Sequence, residues 1–179
     1  ADYEGLLWLT ELVCGTPGLY VALLGDPCEM AIKPREGGNV GEMASQILSP
    51  AEQVALTRAW LEEIAPKVLW ATWDNHTVER EEAAIGWSPT AELLAQHTVY
   101  FSGIGHVELV VGAQTYRIAS SHRFRGRSAN DPVAGPKAYL RTQAQDCEVA
   151  VQGDTHVPGI AIYWESGRRK MAVNAGTHH

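Results

Sequence analysis

The chain has 179 residues, enough for one domain with a substantial core. Hydrophobic residues make up 45 % and charged residues 20 %, which excludes a disordered chain, and no apolar run approaches the roughly 20 residues of a membrane-spanning helix. A formal net charge of −7 argues against a surface that coats nucleic acid generally, though not against a local basic patch.

The chain opens on Ala1, shows no secretory leader and enters helical periodicity almost at once, so we expect its natural N-terminus to lie upstream. Cys14, Cys28 and Cys147 are odd in number, widely spaced and without zinc-type pairs. Reduced thiols in a cytoplasmic protein are the expectation.

In chain order, residues 2–14 carry Leu6, Leu7, Leu9, Leu12 and Val13 at helical spacing, with Asp2 as the cap, and Gly15–Gly18 break the helix. The unbroken apolar run Leu19–Leu24 predicts a strand buried on both faces, ending at Gly25-Asp26-Pro27-Cys28-Glu29. Residues 31–48 mix charge, glycine and polar groups and read as an insertion or surface loop. Ser49-Pro50-Ala51-Glu52 predicts a capped helix start, and Pro66 its end. A strand over 68–73 then runs into Asp74-Asn75-His76. Ser88-Pro89 opens a short helix to about Gln96.

From Val99 to Ile118 apolar residues alternate, with a turn at Gly112-Ala113, and predict a set of antiparallel strands ending at Ser120-Ser121-His122. A helix is expected over 135–146 and a strand over 147–152. That strand stops at Gly153, with Asp154 and His156 beyond it. Strands over 160–164 and 170–173 flank Ser166-Gly167 as a hairpin. Strand–helix alternation first and strands later predict one α/β layered domain over 1–179, two sheets face to face with helices outside.

Asp26, Asn75 with His76, His122, and Asp154 with His156 all stand at the ends of apolar runs, where α/β proteins keep their sites. Oxygen and imidazole donors without thiols suit hard or borderline divalent ions. Arg123, Arg125 and Arg127 follow His122, and guanidinium groups there can meet phosphate oxygens bidentately. The alternative is a solvated loop. Arg168-Arg169-Lys170 reads as solvated charge at a turn. Trp60, Trp70, Trp87 and Trp164 read as core or interface rather than base-stacking platforms.

In this order the four clusters resemble the motifs of the calcineurin-like metallophosphoesterases. Gly25-Asp26-Pro27-Cys28-Glu29 is similar to the second motif, Asp74-Asn75-His76 to the third, His122 to the fourth and Gly153-Asp154-Thr155-His156 to the fifth. The resemblance implies a four-layer αββα sandwich of two mixed sheets, here without its first strand. It implies two divalent ions, Mn²⁺ foremost, with Fe, Zn, Mg or Ni as others. Asp26 would bridge them. Asn75, His122 and Asp154 would complete one site and His156 would serve the other, with His76 as the acid beside the leaving group. The substrate would be a phosphomonoester or phosphodiester, and the arginine loop tilts this towards a nucleotide or nucleic acid. Asn174–Thr177 is similar to the family's closing segment and is expected to be structural.

Three departures stand out. No Asp-x-His follows a strand, Asp154 stands where the family has His, and Asp74 where it has Gly, so that a side chain would crowd the turn. They keep two other readings open: a non-catalytic binding or scaffold module with a degenerate centre, and a one-metal enzyme using Asp26, Asn75, His122 and Asp154.

Overall fold

The computed structural model describes residues 3–32, 44–126, 128, 130–155 and 157–176. They form an α/β protein with a three-stranded parallel sheet and a five-stranded mixed sheet. They fall into two compact units, Tyr3–Tyr100 and the described residues from Phe101 onward.

In the first unit, helix α1 (Tyr3–Gly15) is coupled to helix α2 (Pro50–Ile64) by Trp60, whose indole N–H donates to Thr10 Oγ1 at 3.0 Å. Strand β1 (Val21–Leu23) is shorter than its apolar run and only half-buried, because it forms one edge of the order β1-β2-β3. The expected burial on both faces is therefore not found. Ser49 caps α2 as expected. Glu52 N–H donates to Ser49 Oγ, and Ser49 N–H donates back to the Glu52 carboxylate at 2.8 Å. Pro66 stands in a single 3₁₀ turn, Ala65–Lys67, which leads into β2 (Val68–Thr72). Of the expected 31–48 loop, 33–43 lie outside the described residues, as does Asp2. Gln46 clasps Ala31, accepting from its N–H and donating to its carbonyl.

Helix α3 (Val78–Ile85) was not legible in the sequence. Val-Glu-Arg-Glu-Glu-Ala-Ala-Ile has no apolar stripe, so periodicity gives no signal. A buried carboxylate holds it instead. Glu81 accepts from Ser88 Oγ at 2.5 Å, Thr90 Oγ1 at 2.8 Å and Thr90 N–H at 3.1 Å, tying α3 to α4 (Pro89–His97). Strand β3 (Val99–Phe101) then joins the first sheet. This corrects the expectation that Val99 and Phe101 belong to the antiparallel set. Leu61, Ala71, Leu93 and Leu94 form the core of this unit, with Leu23, Trp60 and Tyr100 against it.

The second unit is built on the sheet β4-β5-β6-β8-β7. Strands β4 (Gly105–Val111) and β5 (Gln114–Ser121) form the expected antiparallel hairpin. Helix α5 (Ala134–Thr142) crosses over to β6 (Val149–Gln152), which runs parallel to β5, and packs on β6 and β8. Strands β7 (Gly159–Glu165) and β8 (Arg168–Asn174) form the closing hairpin. Leu140 of α5 forms the core of this unit with Ala119, Phe124, Ala144, Cys147 and Ala150. Period-two alternation puts Ile118, Val149, Val151, Met171 and Val173 on the opposite face.

Two side chains depart from their readings. Lys170 is buried, its ammonium donating to the carbonyls of Gln145 at 2.7 Å and Cys147 at 2.5 Å, so it is not solvated turn charge. Trp70 is in the core and Trp60 packs against it, while Trp87 and Trp164 are exposed.

Candidate metal centre

Parallel pairing decides which strand-end residues meet. In the first unit Leu23 pairs with Ala71, so the loops after β1 and β2 leave the same sheet edge. Gly25 (φ 98°) and Asp26 (φ 54°) turn the chain in the left-handed region, which aspartate tolerates better than most residues. Thr77 joins the two loops: its hydroxyl donates to Cys28 O at 2.6 Å and accepts from Cys28 N–H at 3.2 Å. Asp26 also lines a cavity of about 220 Å³ with Leu23, Leu56, Trp60, Thr72 and Leu94.

Asp74 does not crowd its turn. Its carboxylate is fully buried and accepts from the N–H groups of Thr77 at 2.5 Å and Val78 at 3.3 Å. It caps the first turn of α3, and its φ is not positive, so glycine is not required there. Asn75 is buried beside it. His76 is half-buried, with Nδ1 at 3.2 Å from both carboxylate oxygens of Glu29. Arg80, four residues on, donates to the same carboxylate at 2.5 Å and to Glu29 O at 2.6 Å.

In the second unit the register Ser121↔Gln152 puts His122 beside Gly153 and Asp154. Both N–H groups of that pair donate to His122 O at 3.1 Å. His122 Nε2 stands 3.7 Å from Asp154 Oδ1, and the side chains are only 2 % and 5 % exposed. That separation is too long for a hydrogen bond. It suits two ligands of one ion, which at about 2.0–2.2 Å each stand roughly 3–4 Å apart. Arg123 Nη2 donates to the same Oδ1 at 2.5 Å. Ser121 Oγ fixes the Arg123 backbone, donating to its carbonyl at 3.1 Å and accepting from its N–H at 3.3 Å. Phe124 N–H donates to Gln152 Oε1 at 3.0 Å.

The structure thus pairs the loop of Asp26 with that of Asn75 and His76, and pairs His122 with Asp154. His156 and Arg127 lie outside the described residues, and Arg125 is exposed. Among the described residues, no three His, Cys, Asp or Glu side chains gather as a metal site. The donor chemistry of buried His122 and Asp154 nevertheless fits a divalent cation. The Asn174 amide donates to Thr155 and to Val157 O at 2.7 Å.

Sequence reasoning missed two residues here. Glu29 was visible only as an acid near Asp26, and nothing in the spacing tied it to His76. Arg80 sits in the helix that periodicity did not reveal. Compared with known proteins, the chain matches no protein-family model and no curated relative.

Proposed function

We propose that this chain is a metal-dependent phosphoesterase domain of the four-layer αββα kind, acting on a phosphomonoester or phosphodiester, with nucleotides or nucleic acid as the favoured class. The observation that carries the reading is the buried His122–Asp154 pair at 3.7 Å on the carboxyl edge of two parallel strands.

In the second unit His122 and Asp154 would hold a divalent ion, Mn²⁺ foremost. A divalent cation supplies Lewis acidity, which acidifies a water and offsets charge on phosphoryl oxygens. His76 gives a proton to the departing oxygen from Nε2, while Glu29 holds Nδ1 and fixes the ring. Arg123, Arg125 and Arg127 meet the phosphate oxygens.

The test is Mn²⁺-dependent release of nitrophenol from an aryl phosphate and an aryl phosphodiester. His122→Ala is expected to lower turnover about 100-fold. Absence of both activity and bound metal rejects the enzyme. The second reading, a binding or scaffold module, draws on the Arg123–Asp154 ion pair, which already supplies a positive charge at the centre. A folded protein that takes up no Mn²⁺ favours it.

A further inference from the structure

Among the described residues, Asp154 Oδ1 faces His122 and Arg123. On one side is His122 Nε2, at a distance suited to a shared ion. On the other is the Arg123 guanidinium, in direct ion pair at 2.5 Å. Local hydrogen bonds hold the main chain at Arg123. Its backbone is clamped by Ser121 Oγ on one side, and the next residue is pinned by Gln152 on the other. Its side chain is 44 % exposed, so the guanidinium sits at the solvent boundary of an otherwise buried pair.

We propose that the Arg123 guanidinium and a divalent cation are alternative counter-charges for the Asp154 carboxylate, so that Arg123 sets how tightly this edge holds metal. The inference rests on reading His122 and Asp154 as ligands. Two positive charges on one carboxylate oxygen repel each other, and the guanidinium takes up a lone-pair direction on Oδ1. Metal entry therefore turns Arg123 outward, where its fork is free to take phosphate oxygens. Without metal, the same arginine keeps a buried carboxylate paired.

Calorimetric titration with Mn²⁺ tests this on the full chain and on Arg123→Gln, Arg123→Lys and Asp154→Asn. Arg123→Gln is expected to tighten Mn²⁺ binding about tenfold, or about 1.4 kcal/mol. Arg123→Lys, which keeps the charge and loses the fork, should fall between it and the parent chain. Asp154→Asn should weaken binding at least tenfold. If Arg123→Gln does not fold, judged by circular dichroism, Arg123→Lys carries the test: tighter binding than the parent supports the competition, and equal binding overturns it. Equal or weaker Mn²⁺ affinity in folded Arg123→Gln, with Asp154→Asn still impaired, overturns the competition alone. No Mn²⁺ binding by any of the chains overturns both the competition and the metal reading.

Discussion

His76 is held at Nδ1 by Glu29, and Glu29 is itself fixed by Arg80 one helical turn further on. A carboxylate in this position sets the tautomer and direction of the ring rather than touching substrate. Under the proposed activity, Glu29→Gln is expected to lower kcat about tenfold to a hundredfold while KM changes little. A rise in KM with kcat intact would assign Glu29 to binding instead.

The thiols give a second residue-scale outcome. Cys14 is exposed, while Cys28 and Cys147 are buried. Burial foremost pushes the Cys28 thiol up from 9.0 to about 11, and the contact with Thr57 opposes this. The raised folded value means that neutral Cys28 stabilises the fold. That contribution is full below about pH 9 and is lost as pH rises towards 11. Iodoacetamide at pH 8 should modify one thiol quickly, and denaturation midpoints should fall above pH 9 less steeply in Cys28→Ser.

Among the elements, α2 and α3 are held by opposite devices. Helix α2 carries a sequence-coded capping box, and Ser49→Ala should cost about 1 kcal/mol in urea denaturation. The hydrogen bonds from Ser49 hold Glu52 below its ordinary value. Its share of helix stability is thus present above the usual carboxylate range and lost as pH falls through the lowered value. Helix α3 depends on Glu81, buried with Ser88 and Thr90 as donors. Glu81→Ala removes their acceptor and is expected to cost about 2–4 kcal/mol, far more than a surface glutamate in the same helix. The contrast explains why one helix was legible and the other was not. A cap is written within four consecutive residues, whereas the acceptor and donors of the Glu81 cluster lie 7 and 9 residues apart.

On the scale of the whole molecule, strand order decides more than strand content. Val99 and Phe101, then Val107, Leu109 and Val111, read alike in the sequence, yet β3 joins the parallel sheet while β4 and β5 form a hairpin in the other. Alternation reports that a segment is half-buried, not which sheet it pairs with. If the centre binds metal as proposed, Mn²⁺ at a hundredfold excess over its dissociation constant should stabilise the fold by about 2.7 kcal/mol. Thermal melts with Mn²⁺ and with EDTA check this, and Asp154→Asn at the same Mn²⁺ concentration should at least halve the difference.

The sequence by itself determined the capped helix starts at Ser49 and Ser88, the two hairpins, the alternation of strand and helix, and the strand ends at which Asp26, Asn75, His122 and Asp154 stand. These are local: a cap, a turn and a period-two pattern act within a few residues. Tertiary structure alone decided that Glu29 reaches His76, that Lys170 turns inward to two carbonyls, and that Arg123 lies on Asp154. Each of these depends on which strands become parallel neighbours or on how a loop folds back. Those pairings join residues up to 47 positions apart, beyond the reach of any local pattern.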